Sequence, residues 1–211
     1  MRQGRSRVLL VHGMGRTAWS MRRLARHLRV AGHETTLLGY LAAVEPFEAI
    51  VDRVHRDLQR LAGGAGPYAV VGHSLGGLLV RVALARRPPL PVPPARLIML
   101  GTPNRPPRLA NRYRRLWPYR WVNGESGRLL ATPDFFAALP APPVPYTIIA
   151  GTGGWQGRWS PFGREPNDGV VAVSETLVGE TDVPIQLPVR HTFMMNDRRV
   201  REAIRGALPP P

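Results

Sequence analysis

A serine flanked by glycines lies at the junction of two predicted elements of this sequence. Residues 68–71 form a short apolar, β-branched run that is typical of a buried strand, and residues 78–85 have the composition of a helix. Ser74 therefore lies on a strand-to-helix turn, between Gly72 and Gly76. Because these glycines have no Cβ to block a sharp turn, the serine hydroxyl can be pushed clear of the sheet. A hydroxyl presented in this way could act as a nucleophile.

The sequence around this turn resembles a known family. Gly-His-Ser-Leu-Gly, between a strand and a helix, resembles the nucleophile elbow of the α/β-hydrolase superfamily and is similar to the form found in small bacterial lipases and esterases. Residues 12–15 (His-Gly-Met-Gly) resemble the H-G-x-G loop of those lipases. The resemblance implies an oxyanion hole made by the backbone N–H groups of Met14 and Leu75, with His12 orienting the loop. Residues 101–103 (Gly-Thr-Pro) also match a lipase pattern, whereas 104–106 depart from it.

The family's chain order selects the partners of the serine. A serine nucleophile needs a histidine to accept its proton and a carboxylate to hold that imidazole in one tautomer, and the family places them in the order serine, acid, histidine. Five of the six histidines precede Ser74, which leaves His191 as the base. Asp168 is the best-placed acid, since Asn-Asp-Gly-Val-Val resembles the N-D-x-x-V of small lipases. Glu165 remains the alternative.

Apolar periodicity predicts the elements that position these residues. Short apolar runs predict strands near residues 8–11, 35–38, 68–71, 97–100, 146–150 and 185–187. Helical spacing of apolar residues predicts helices over 17–30, 47–61 and about 200–208, in addition to the one after Ser74. The alternation of strand and helix predicts an α/β fold with a mostly parallel sheet flanked by helices, within a single domain spanning residues 1–211. The ligand site of such a sheet belongs at the carboxyl ends of its strands.

This alternation lapses between about residues 103 and 145, where arginine, proline and aromatic residues dominate. We expect a cap-like insertion that overhangs the site and shapes substrate access. Four of the five tryptophans fall in this insertion or in the loop after residue 150: Trp117, Trp121, Trp155 and Trp159. They could meet a lipid interface or line an acyl groove, or they could simply pack the cap onto the sheet.

Composition narrows the chemistry further. The formal net charge is +15 over 211 residues, and all 29 basic residues are arginine. This bias fits a GC-rich genome as well as it fits an anionic partner. Without lysine the chain has neither a Walker-type phosphate loop nor a Schiff-base lysine, so the glycine-rich residues 151–154 are not expected to cradle nucleotide phosphates. Without cysteine it has no disulfide, no thiolate zinc site and no cysteine nucleophile.

The motifs predict a serine hydrolase that acts through an acyl-enzyme, and the resemblance to small lipases and esterases implies that it cleaves carboxylic esters of lipids or other apolar acyl groups. The resemblance implies no cofactor and no metal. Acyl transfer or thioester hydrolysis by the same residues, and a non-catalytic protein that binds anionic surfaces, remain alternatives. The expected partner is a small-molecule or lipid ester, with contact to an anionic membrane surface as a further expectation; nucleic acid is not expected. No stretch has signal-peptide or transmembrane character, which favours a cytoplasmic location.

Overall fold

Six strands form the centre of the computed structural model, which describes residues 6–109 and 124–211. The strands are β1 (Arg7–Val11), β2 (Glu34–Leu38), β3 (Tyr68–His73), β4 (Arg96–Leu100), β5 (Tyr146–Gly151) and β6 (Ile185–Leu187). Their order in the sheet is β2-β1-β3-β4-β5-β6, and every neighbouring pair is parallel. All six carboxyl ends therefore meet at one edge of the sheet, called the carboxyl edge below. The predicted parallel sheet is confirmed.

Helices cover both faces of this sheet. They are α1 (Arg22–Val30), α2 (Phe47–Ala62), α3 (Leu75–Leu84), the short α4 (Pro133–Ala137) and α5 (Arg198–Ala207). Successive residues of β1 point to opposite faces, as a strand requires. Leu9 and Val11 pack in a core with α2 and α3, whereas Val8 and Leu10 pack in a second core with α1 and α5. The two apolar layers fix the register of the central strands and hence the heights of the loops at the carboxyl edge.

Two helices begin at other residues than the sequence pattern predicts. The helix predicted to open at Thr17 begins as a 3-10 turn over Ala18–Met21 and becomes α-helical only at Arg22. The helix after the serine begins at Leu75, three residues before the predicted run, because Gly76 and Gly77 already belong to it. Both glycines are buried, so their low helix propensity is offset by the packing of α3 on the sheet.

Part of the predicted insertion lies within the described residues. Residues 124–129 are helical and α4 follows them. The backbone N–H of Phe47 donates to Glu125 Oε2 at 2.9 Å, and the rings of Phe47 and Phe135 meet edge to face at 5.5 Å. This part of the insertion therefore packs against the start of α2. Trp117 and Trp121, with the neighbouring tyrosines and arginines of the predicted cap, lie outside the described residues.

Across residues 6–109 and 124–211, no helix is both long enough and apolar enough to cross a membrane.

Candidate active site

Ser74 occupies a sharp turn between β3 and α3. Its backbone has φ 53° and ψ −123°, and Ser74 is the one described residue other than glycine with positive φ. Such a conformation is costly for a residue with a Cβ and persists only where the surroundings enforce it. The backbone N–H of Ser74 donates to the carbonyl of Leu100 at 2.8 Å, which ties the turn to β4. The strained turn lifts a partly exposed hydroxyl above the carboxyl edge.

Three glycines make this turn sterically possible. A Cβ on Gly72 would lie 2.6 Å from the Cα of Gly77, inside the turn itself. A Cβ on Gly76 would overlap the backbone carbonyl oxygens of Val11 and His12. A Cβ on Gly77 would overlap the Thr102 side chain. The motif alone predicts the need for Gly72 and Gly76; Gly77 is a further requirement, for which the Gly-Gly pair before an apolar helical run is the sequence signal.

The structure brings His191 to Ser74. His191 follows β6 and opens a 3-10 segment, His191–Asn196, in which its side chain is buried. The Ser74 hydroxyl lies 3.0 Å from His191 Nε2, which is hydrogen-bond distance. On the other side of the ring, Nδ1 lies 2.6 Å from Asp168 Oδ2 and donates to it. The three side chains thus form one continuous hydrogen-bonded series from a part-exposed hydroxyl to a buried carboxylate.

Asp168 is held in place by the turn in which it sits. Its Oδ1 accepts from the backbone N–H groups of Val170 at 2.9 Å and Val171 at 2.7 Å. Its own carbonyl accepts from the backbone N–H of His191 at 3.0 Å. One carboxylate oxygen therefore anchors the turn while the other faces the imidazole. Gly169 supports this turn with φ 96°, a conformation that glycine adopts without strain.

Glu165, the alternative acid, has other partners. It forms an ion pair with Arg108, and it accepts hydrogen bonds from the backbone N–H and the hydroxyl of Ser174. The backbone N–H of Arg108 in turn donates to Glu175 Oε1 at 2.9 Å. Glu165 thus braces the segment that follows the Asp168 turn, while Asp168 is the carboxylate in contact with His191.

The loop after β1 lies directly against the elbow. A Cβ on Gly13 would be 2.8 Å from His73 Nδ1 and 3.0 Å from the Ser74 Cβ, so only glycine allows this approach. Met14 follows on the same loop and packs partly against the core around α3. Leu75 is the first residue of α3, and its N–H therefore has no acceptor within the helix. The loop after β1 and the first turn of α3 therefore both lie next to Ser74.

A family model described as the alpha/beta hydrolase family matches residues 8–209. The chain belongs to this family. Within it, the chain is similar to the probable esterase PIR7A of Oryza sativa subsp. indica, with 36% identity over 96 residues. It is also similar to the esterase PIR7B of Oryza sativa subsp. japonica, with 39% identity over 90 residues. These matches span 42% and 38% of this chain but only 36% and 33% of the rice proteins.

Solved structures show the same α/β-hydrolase fold over nearly the whole chain. The Bacillus licheniformis lipase BlEst2 in mature form superposes with a TM-score of 0.72 at 17% identity, covering 95% of this chain and 90% of that one. A lipase-esterase related protein from Clostridium acetobutylicum superposes with a TM-score of 0.58 at 14% identity, covering 95% and 93%. At such identities the likeness establishes the fold, and function has to be argued from the site.

Two further histidines of this α/β hydrolase support the site. His73 is buried and its Nε2 donates to the carbonyl oxygen of His191 at 3.0 Å. His12 is also buried, and its ring stacks on Tyr40 at 4.1 Å between centroids. The Tyr40 hydroxyl donates to the His12 carbonyl at 2.6 Å, which fixes the start of the loop that carries Met14. The expected role of His12 in orienting the loop agrees with these contacts, whereas the contacts of Tyr40 and His73 are not predictable from the motifs.

Burial also decides the protonation of these two histidines. Desolvation lowers the pKa of His12, and it lowers the pKa of His73 well below the usual value, with the nearby charge of His191 adding to the effect. Both rings are therefore neutral at pH 7. A neutral His73 adds no positive charge beside the His191 ring.

Proposed function

We propose that this chain is a serine hydrolase that cleaves carboxylic esters. Ser74 attacks the ester carbonyl while His191 accepts the hydroxyl proton and then delivers it to the leaving alcohol. Asp168 holds the imidazole by Nδ1 and stabilises the imidazolium. Water, activated by the same histidine, then hydrolyses the acyl-enzyme and regenerates Ser74.

The observation that carries the proposal is the pair of distances around His191. Ser74 Oγ at 3.0 Å and Asp168 Oδ2 at 2.6 Å lie on opposite nitrogens of one buried ring. In this geometry Nδ1 bears the proton, because it donates to the carboxylate, and Nε2 presents a lone pair to the hydroxyl. The two esterase matches from rice agree with this chemistry, although they cover only part of those proteins.

The oxyanion of the tetrahedral intermediate would be bound by the backbone N–H groups of Met14 and Leu75. The close approach of Gly13 to Ser74 places the Met14 segment beside the nucleophile. Leu75 adds the N-terminal end of α3, whose dipole favours negative charge. Removing one such donor typically costs about 10²–10³ in kcat in acyl-transfer enzymes.

An ester with an apolar acyl group is the substrate class that the surroundings of the site support best. Two exposed aromatic side chains, Trp155 and Trp159, lie in the loop between β5 and Asp168. Aromatic rings with a polar edge suit contact with acyl chains at a water boundary. We therefore expect p-nitrophenyl esters of medium or long acyl chains to be turned over faster than the acetate.

The test combines covalent labelling with kinetics. Wild type, Ser74→Ala and the control Ser20→Ala are treated with a fluorophosphonate probe and assayed on p-nitrophenyl esters of increasing chain length. We expect labelling and turnover in wild type and Ser20→Ala, and a loss of roughly 10⁴ or more in kcat in Ser74→Ala. Labelling of Ser74→Ala, or ester turnover at the wild-type rate, would show that another residue is the nucleophile.

The alternatives on the same residues are separated by the products. Thioester hydrolysis is measured with an acyl thioester in parallel with the oxygen ester of the same acid. Acyl transfer is measured by adding an alcohol acceptor and comparing new ester with free acid. Preference for the oxygen ester, with free acid as the main product, supports ester hydrolysis. A wild-type protein that neither reacts with the probe nor hydrolyses any ester would instead be a non-catalytic member of the family.

A further inference from the structure

Exposed aromatic side chains are gathered on one side of the molecule. Trp19 is 73% exposed, Trp155 59%, Trp159 75% and Phe193 63%. Within residues 6–109 and 124–211, these are the only exposed tryptophan and phenylalanine side chains. They lie on the segments that follow β1, β5 and β6, which all leave the sheet at the carboxyl edge. The four aromatic residues therefore all lie on segments that begin at the edge of the sheet on which Ser74 lies.

Three of the four rings are paired with arginine. The Arg22 guanidinium lies 4.1 Å from the Trp19 ring centroid. Arg158 lies 5.0 Å from the Trp159 ring, and Arg16 lies 5.0 Å from the Phe193 ring. In the described part of the chain, none of the three arginines forms an ion pair with a carboxylate. Their charge is therefore available to an external anion.

Hydrogen bonds attach these aromatic segments to the site. Arg16 Nη2 donates to the carbonyl of Thr192, the residue after His191, at 2.9 Å. The carbonyl of Trp155 accepts from the Asn167 side chain at 3.1 Å and from the Ser160 hydroxyl at 2.8 Å. The loop after β1 is thus tied to the residue that follows His191, and the loop that carries Trp155 is tied to the residue that precedes Asp168. A surface that bound through these rings would hold the Ser74 hydroxyl at a constant height above it.

We propose that the carboxyl edge of this protein docks onto anionic phospholipid bilayers through these aromatic–arginine pairs, with the active site facing the membrane. Tryptophan and phenylalanine place their rings at the level of the lipid headgroups, where an apolar body and a polar edge are both satisfied. Arginine beside them binds headgroup phosphates, and each arginine near an anionic surface raises binding by about fivefold. The formal net charge of +15 also attracts the protein to an anionic membrane surface.

Single-stranded nucleic acid is the other polyanion that meets arginine and aromatic residues. It binds by stacking its bases on open ring faces. Here guanidinium groups already lie over the rings of Trp19, Phe193 and Trp159. Binding to a bilayer uses the edges of the rings and the charge of the arginines, and it needs no free ring face. The observed pairing of arginines with the rings therefore favours a membrane over single-stranded nucleic acid as the partner.

Vesicle binding tests the proposal independently of catalysis. The Ser74→Ala protein is sedimented with phosphatidylcholine vesicles and with vesicles that also contain phosphatidylglycerol, so that lipid hydrolysis cannot change the surface. We expect binding to the anionic vesicles at low salt and release near 1 M salt, where the Debye length falls to about 3 Å. Binding that is equal on neutral and anionic vesicles and insensitive to salt, or absent from both, would overturn the proposal.

Charge-matched variants locate the surface. Arg22→Gln with Arg158→Gln removes two charges from the carboxyl edge, and Arg56→Gln with Arg87→Gln removes two exposed charges from other parts of the surface. We expect the first pair to weaken vesicle binding by at least tenfold and the second by about twofold, consistent with the short range of screened charges. Equal losses would show that net charge alone binds.

A second variant tests the aromatic contribution. Trp19→Ala, at a residue with no part in the proposed catalytic site, should weaken vesicle binding and the turnover of long-chain esters presented in vesicles, while hydrolysis of a short soluble ester stays at the wild-type rate. A short single-stranded DNA serves as the competing polyanion in the same assay. If the Arg22 and Arg158 variant lost DNA binding as strongly as vesicle binding, the surface would be a general polyanion site, and the membrane proposal would fail.

Discussion

The buried imidazole of His73 donates from Nε2 to the backbone carbonyl of His191 at 3.0 Å. The residue next to the proposed nucleophile thereby holds the backbone of the proposed base, 118 positions away in the chain. The two rings lie 4.9 Å apart and are tilted by 44°. His73 Nδ1 faces Gly13, so the same side chain also contacts the loop that carries Met14. One histidine thus connects the elbow, the base and the proposed oxyanion loop.

A first prediction concerns this positioning role. His73→Phe keeps a ring in the space but removes the donor, whereas His73→Gln keeps an N–H group that can reach the same carbonyl. We expect His73→Phe to lower kcat by roughly 10–10² with little change in KM, because displacement of a catalytic group by about 1 Å can cost that much. His73→Gln should recover much of the loss. Equal impairment of the two variants, or full activity of His73→Phe, would contradict this role.

A second prediction follows from the protonation of His73. Burial holds its pKa well below 6.5 in the folded protein, while in the unfolded chain it titrates near 6.5. As the pH falls below 6.5, the unfolded state binds a proton that the native state does not, so the free energy of unfolding falls. The free energy of unfolding keeps falling, by up to about 1.4 kcal/mol per pH unit, until the pH reaches the pKa of His73 in the folded protein.

Urea unfolding of wild type and His73→Gln at pH 7 and pH 5 measures this effect. His12 and His33, whose pKa values are also lowered by burial, lose stability in the same direction and are present in both proteins. We expect wild type to lose more stability than the variant between the two pH values, by about 1–2 kcal/mol. Parallel losses in the two proteins would mean that His73 is protonated in the native state at pH 5.

A third prediction separates the two candidate acids. Asp168 Oδ1 is occupied by the N–H groups of Val170 and Val171, so in Asp168→Asn the amide nitrogen would be the atom facing His191 Nδ1. That contact would force the proton onto Nε2, the wrong tautomer for a base, and kcat should fall on the order of 10⁴. Glu165→Gln should remain within a few-fold of wild type. The opposite ranking in steady-state kinetics would make Glu165 the acid.

The fold was predictable because the information that specifies it is local. Short runs of three to five mostly apolar residues identify all six strands without any knowledge of distant contacts. The prediction of Ser74 and Asp168 rests on their resemblance to family motifs, and that of His191 on the family's chain order. Their mutual hydrogen bonds agree with that assignment.

The supporting residues could not be predicted in the same way. The bond between His73 and His191, and the stacking of Tyr40 on His12, depend on how separate loops approach at the carboxyl edge. Nothing in the sequence near Tyr40 indicates a partner 28 positions earlier. Gly77 was more predictable than these contacts, because a glycine pair inside a buried helix indicates close packing. Only the structure identifies Thr102 as the side chain that packs there.

A fourth prediction compares two glycines in helices. Gly76→Ala would drive a methyl group into the backbone carbonyls of Val11 and His12, which cannot move without shifting β1. We expect a loss of about 3 kcal/mol or more in the free energy of unfolding. Gly206→Ala is the control, because nothing lies within 4 Å of the added Cβ. The higher helix propensity of alanine should raise the free energy of unfolding of this variant by about 0.5–1 kcal/mol. Thermal or urea denaturation that ranks the two alike would refute the steric argument.

The last prediction concerns a buried cation on α3. Arg81 is almost wholly buried, and desolvation lowers its pKa to about 10, so it remains charged at pH 7. Its guanidinium donates to Asn104 Oδ1 at 2.8 Å and to the carbonyl of Pro140 at 2.7 Å. Asn104 in turn donates to the carbonyl of Thr176 at 2.7 Å. The side chain therefore connects α3 to the segments after β4, α4 and the Asp168 turn.

Arg81→Met should cost about 3–5 kcal/mol in the free energy of unfolding, because it leaves buried oxygen acceptors without donors. Arg81→Lys should recover little, since an ammonium group cannot reproduce the planar fork. Arg86→Met is the matched control just beyond the same helix, since Arg86 pairs at the surface with Glu48 and Asp52. Surface pairs contribute about 0–1 kcal/mol, so this control should remain near wild type in urea unfolding. Arg81→Met with wild-type stability would show that the three segments are held together by apolar packing alone.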